Sequence, residues 1–258
     1  MNVLHWHIVD SYSFPLQLDS YPQLSQAGSW DPTAVYTRQQ IQFLVEYARQ
    51  RGVRVIPEID IPGHAYSWGL AFPQLTVSCP STLTADIGPI NVVPLDPTQE
   101  FTYTVVEAVI NEVTQLFPDA YIHVGGDELQ LECWNSSQAI QDYIQSHNIS
   151  SVSALQAMFE SRLMAIVAKT NRTAIVWDET YFEVCSFSFL SFGPVVGLFS
   201  FGIREQVGST LNPSTVVEVW TNVSVVPQIL AAGHSVILAD GEWFVWLFRL
   251  LICHFVGC

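Results

Sequence analysis

The chain has 258 residues, 49% of them hydrophobic, enough for one large domain or two small ones with a sizeable core. Its formal net charge of −15 argues against a nucleic-acid partner, which would need a basic face. Five scattered cysteines without a CxxC pair give no zinc-site pattern.

The chain opens on Asn2–Val9, a β-branched run with no signal peptide before it. A strand at residue 2 leads us to expect that the chain is truncated at its start. Thr37–Arg51 places Ile41, Leu44, Val45 and Ala48 on one helical face, and Gly52 stops it. A strand follows at Val53–Ile59. Asp96-Pro97 reads as a capped helix start, with Phe101, Val105, Val109 and Val113 below it and Phe117-Pro118 at its end. Ala120–Val124 is the next strand, Ser151–Lys169 the next helix, and Thr173–Trp177, Thr215–Trp220 and Ser235–Leu238 are further strands. Alternation of this kind predicts a parallel α/β sheet, open or closed.

The strand ends read HIVD, EID-IPGH, HVGGDE, VWDE, VEVW and LADGEW. Acids, a histidine and tryptophans collect at every one. In a (β/α)8 barrel that face carries the active site, whereas an open doubly wound sheet enriches only its switch-point loops. The barrel is therefore favoured. In HVGGDE, successive strand residues would point to opposite faces. Asp127 and Glu128 can share one site only where the chain turns, and Gly125-Gly126 permits a turn there. Gly-Gly-Asp is also an ordinary turn, so this motif alone is ambiguous.

Together and in order, HWHIVD, RVIPEIDIPGHAYSWG and HVGGDE resemble the β-N-acetylhexosaminidases, the family 20 glycoside hydrolases. The likeness runs from Met1 to about Glu183 and resumes from about Pro213 to Trp243. It implies a (β/α)8 TIM barrel, here incomplete, with about six of eight strands and the first and last missing. It implies exo-hydrolysis of terminal GlcNAc or GalNAc by a substrate-assisted retaining mechanism, an exception to the two-carboxylate scheme. Glu128 matches the general acid/base and Asp127 the residue that orients the 2-acetamido group. His64 matches the histidine that contacts the acid, and Asp10 the group that orients that histidine. Trp177, Trp220 and Trp243 match the aromatic wall. Cys79 and Cys133 match family positions on two loops of one barrel face and are expected to be disulfide-bonded. A non-catalytic sugar-binding descendant is the alternative. Phe244, where the family usually has a tyrosine donor, favours it; the retained acid pair opposes it.

No cofactor is implied, because the substrate supplies its own nucleophile. His5 and His7 share one side of a strand, as in some metal barrels, but the later histidines do not complete a cluster. Metal is therefore not expected, and both rings are read as buried hydrogen-bonding groups. The expected partner is a glycan or glycoconjugate, with no nucleic acid and no membrane, and the full-length protein is expected to be a homodimer. Sequons at Asn135, Asn148, Asn171 and Asn222 favour glycosylation and a lysosomal or secreted location. Residues 1–258 are read as one partial catalytic domain. Within it, 184–206 and 245–258 are expected to be a non-family insert and tail, since both are apolar with neither strand nor helix period. The first is long enough to span a bilayer, but Pro194 and three glycines interrupt it.

Overall fold

The computed structural model describes residues 2–80, 88, 90, 93–182 and 211–239. Six strands form one sheet in chain order: Val3–Val9 (β1), Arg54–Ile59 (β2), Tyr121–His123 (β3), Thr173–Trp177 (β4), Val216–Val219 (β5) and Ser235–Leu238 (β6). Every neighbouring pair is parallel. Parallel neighbours need crossovers, and helices supply them. They are Pro22–Gly28 (α1), Arg38–Arg49 (α2), Tyr66–Ala71 (α3), Glu100–Leu116 (α4), Leu131–Ser136 (α5), Gln138–Ser146 (α6), Val152–Lys169 (α7), Asp178–Tyr181 (α8) and Val226–Ala231 (α9).

The sheet is strongly curled. His5 on β1 lies 3.7 Å from Glu218 on β5, although three strands stand between them. In a flat sheet those strands would be about 19 Å apart, four spacings of roughly 4.8 Å. Their side chains can meet only if the sheet bends round an interior. This is the (β/α)8 arrangement with six parallel strands described, so the ring is not closed among the described residues.

Period-2 alternation divides the strand residues between the two faces. Outward residues such as Val55, Ile122, Val176 and Val217 pack with Val105, Val109 and Val113 of α4 and with Leu163, Ile166 and Val167 of α7. Inside, Val3, Ile56, Ile175 and Val216 form a separate apolar cluster, with Tyr121 and Ile237 against it. That cluster plugs the amino-terminal end of the barrel and leaves the carboxyl end for polar groups.

The local signals act as expected at α2 and α7. Thr37 forms a capping box with Gln40, and the Ser151 side chain accepts from the Ala154 N–H. The expected start at Asp96-Pro97 is corrected: α4 begins at Glu100, after Gln99. Asp96 instead uses its carboxylate locally, accepting from the Thr98 N–H at 2.9 Å and the Thr98 hydroxyl at 2.6 Å. An Asx-type turn competes with a helix start for the same side chain, and here it prevails. Trp243, Phe244 and the segments 184–206 and 245–258 lie outside the described residues. No helix among the described residues is long and apolar enough to cross a membrane.

Candidate active site

Above the apolar plug the inward positions become ionisable. His5 and His7 come from β1, Glu58 from β2, His123 from β3, Trp177 from β4 and Glu218 from β5. Glu58 is fully buried at the centre of this layer. It accepts from the Trp177 indole N–H at 2.8 Å and lies 2.7 Å from His5 Nε2 and 3.1 Å from His123 Nδ1. Burial opposes its charge, but His123, His5 and His7 outweigh that and hold the carboxyl well below its usual range. Burial also opposes the charge of His123. Glu58 and Glu218 more than offset this and push that imidazole up to about 10. The layer thus sets the buried Glu58 carboxylate against the His123 imidazolium, the pairing a dry interior requires.

The next layer is made by two loops. Gly125 and Gly126, just past β3, take φ values of +71° and +103°, and Glu128 follows at +50°. A Cβ on Gly125 would stand 1.8 Å from Asp60 Oδ1, so only glycine fits. The Gly126 N–H donates to that same oxygen at 3.1 Å. Asp60, just past β2, therefore anchors the turn that presents Asp127 and Glu128. Its carboxyl is pushed well up, first by burial and then by the charges of Asp127 and Glu58.

His64 sits in the second loop at φ +45°, another left-handed position. Its Nδ1 lies 3.1 Å from Asp10 Oδ1, and its Nε2 lies 3.6 Å from Glu128 Oε2 and 4.0 Å from Asp127 Oδ2. Burial disfavours the imidazolium, but Asp10, Asp127 and Glu128 outweigh it, and its pKa is raised. The hydrogen bond from His64 lowers that of Asp10 in return. Glu128 is exposed, whereas Asp127 is largely covered, with its Oδ1 buried and unpaired. A buried carboxylate oxygen without a donor is costly and suits a site that receives an N–H from a ligand.

Trp177 and Trp220 stand at the ends of β4 and β5. The Trp220 indole N–H donates to both Glu179 oxygens at 3.0 Å, and its backbone N–H donates to Asp178 at 3.3 Å. The Thr221 hydroxyl donates to the other Asp178 oxygen. Burial first, then the charges of Asp178 and Asp127, pushes the Glu179 carboxyl up to about 8.

The structure thus brings Asp10, His64, Asp127, Glu128, Trp177 and Trp220 to one barrel end. Cys79 and Cys133 are joined by a disulfide with a Cα–Cα separation of 4.7 Å. The four sequon asparagines are all exposed. Sequence reading did not assign Glu58, Asp60, Glu179 and Glu218. A signal was present: Ile56, Glu58 and Asp60 share one strand face, as do Val216 and Glu218, and an acid on an inward face needs a buried partner. Among the described residues, three groups come close enough to hold a cation: His5, His123 and Glu218; His7, Glu58 and Asp60; and Asp60, His64 and Asp127. His7 lies 3.5 Å from Glu58 and 3.6 Å from Asp60, and His64 lies 3.7 Å from Asp60, so each group is a set of close imidazole–carboxylate contacts.

Residues 1–248 match the model of "Glycosyl hydrolase family 20, catalytic domain". The chain is 34% identical over 236 residues to a β-hexosaminidase subunit A2 of Dictyostelium discoideum, covering 92% of this chain and 38% of that one. It is 35% identical over 251 residues to the human β-hexosaminidase subunit beta, covering 95% of this chain and 40% of that one. The chain therefore spans about two-fifths of the length of these curated relatives. Among solved structures, the Flavobacterium johnsoniae chitobiase superposes with a TM-score of 0.70 at 25% identity, over 93% of this chain and 33% of that one. A match across nearly the whole chain, on a curled parallel sheet whose carboxyl end gathers these acids, places the protein in glycosyl hydrolase family 20 as part of its catalytic domain.

Proposed function

We propose that the protein removes terminal, non-reducing N-acetylhexosamine (GlcNAc or GalNAc) from glycans by a substrate-assisted retaining mechanism. One observation carries this reading: Asp127 and Glu128 are turned toward one site by Gly125-Gly126, with His64 and Asp10 behind them. The acetamido oxygen of the substrate attacks C1, the glycosidic bond breaks, and an oxazolinium ion forms. Glu128 protonates the leaving oxygen and then takes a proton from the water that opens the ring. Asp127 accepts the acetamido N–H on its unpaired Oδ1 and offsets the positive charge. His64, polarised by Asp10, orients Glu128. Trp177 and Trp220 wall the sugar; Trp243, outside the described residues, is assigned that role on the family resemblance alone.

The test uses the full chain and an aryl-free oligosaccharide. Glu128→Gln should lower kcat by at least 10²-fold with sugar binding largely kept, because the amide has the shape but no proton to give. Asp127→Asn should impair acetamido substrates in particular, and a thiazoline analogue of the oxazolinium should inhibit. Full activity of Glu128→Gln would refute the assignment. Sugar binding without turnover in the parent chain would point to a non-catalytic binding protein, the reading favoured by Phe244.

A lysosomal or secreted location is supported by the disulfide and the four exposed sequons. We infer that residues 184–206 and 245–258 are not family sequence, on their lack of period, and sequencing the mature message tests this. Light scattering tests the expected homodimer.

A further inference from the structure

The two pocket tryptophans are held in unlike ways. Trp177 donates to Glu58, a fully buried carboxylate locked among histidines, so its ring is fixed from within the core. Trp220 is 41% exposed, and among the described residues only the Glu179 carboxylate receives its indole N–H. Glu179 follows Trp177 by two residues and is the second residue of α8, where Asp178 holds the backbone of Trp220 and the hydroxyl of Thr221. One path therefore runs from Glu58 through Trp177, along Asp178 and Glu179, to Trp220. It transmits the rigidity of the buried layer to an indole that packing alone leaves half in solvent.

We propose that Glu179 is a positioning residue that sets the Trp220 ring against the sugar and thereby fixes affinity for the terminal N-acetylhexosamine. Both carboxyl oxygens lie 3.0 Å from Nε1, so the acid holds the polar edge of the ring at one place. An indole without that partner has two free side-chain torsions, and immobilising it on binding is an entropic cost the anchored ring has already met. The proposal rests on the reading that Trp220 lines the sugar site.

N-acetylglucosamine binding to the full chain, by titration calorimetry, is measured for Glu179→Ala, Glu179→Gln, Trp220→Phe and the Glu179→Ala/Trp220→Phe pair. Where turnover is present, KM and kcat are read as well. Glu179→Ala should weaken binding roughly threefold to tenfold, the cost of one unfixed aromatic, with KM rising and kcat nearly unchanged. Glu179→Gln keeps an acceptor oxygen and should bind within about twofold of the parent. The double variant should be no weaker than Trp220→Phe alone, since the acid acts only through the indole. A purely structural role would lower the melting temperature without this split or this rescue. If Trp220→Phe weakens binding while Glu179→Ala does not, the anchor proposal is wrong. If Trp220→Phe leaves binding unchanged, the placement of Trp220 in the sugar site fails first, and the anchor falls with it.

Discussion

Gly125 concentrates the demands of the site on one residue. Its φ of +71° is costly for any L side chain, and its missing Cβ leaves room for Asp60. Gly52, which ends α2 at φ +70°, has the same backbone but nothing within 4 Å. Gly52→Ala should therefore cost about 1–2 kcal/mol, the backbone cost alone. Gly125→Ala adds an overpacked contact and should cost roughly 3–5 kcal/mol. Thermal or urea unfolding of the two variants gives the comparison, and equal losses would mean that Asp60 moves aside freely. At this scale the sequence was informative where a motif names its residues. Asp127 and Glu128 beside paired glycines, His64 on a PGH turn and Asp10 at a strand end all meet in space. It was silent on the buried partners of Glu58, because Trp177 and His123 are 119 and 65 residues away along the chain, and local pattern does not encode cross-barrel pairing.

The elements show a similar division. Helices of 12 residues or more carry enough turns for a period to show, and α2, α4 and α7 were read from it, α4 with a misplaced start. The six helices of 4–9 residues among the described residues were not read, since two and a half turns or fewer leave little periodic signal. Helix α7 also holds Glu160, a fully buried carboxyl lying under the Gly125-Gly126 turn with Oε1 unpaired. Burial alone pushes its pKa from 4.5 up to about 8. A raised folded value means that folding takes up a proton between these limits. The contribution is complete below pH 4.5 and is lost as pH rises through about 8. Glu160→Gln cannot ionise, so its melting temperature should fall less between pH 5 and pH 8 than that of the parent. An unchanged fall would show that Glu160 is not the group responsible.

Across the whole molecule the raised and lowered groups together favour mild acid. Asp60, Glu160 and Glu179 bind protons more tightly when folded, each through burial first. His123, raised to about 10, loses its contribution as pH rises through that value. Glu58, Asp10 and Glu112 are lowered, so their contributions are present above the ordinary carboxylate range and fail only in stronger acid. The net charge of −15 adds self-repulsion as pH climbs. Stability should therefore peak in mild acid, near about pH 5, and decline toward pH 8. Scanning calorimetry across that range checks it, and a melting temperature that rises toward pH 8 would contradict the charge assignment. A stability maximum of this kind fits the lysosomal alternative of the location proposed above.

The bond between Cys79 and Cys133 has a topological consequence. His64 precedes Cys79 and Glu128 precedes Cys133, so the two halves of the acid–imidazole contact belong to loops stapled independently of the backbone between them. A protease that cuts once between residues 79 and 127 breaks the polypeptide but not the molecule. Both pieces should migrate as one species on a non-reducing gel and separate only after thiol is added. The intact chain gains about 4 kcal/mol from closing a loop of 54 residues, by the chain-entropy estimate. The nicked form turns that linkage into a tether, which keeps the histidine and its acid at high effective concentration after the main chain between them is gone.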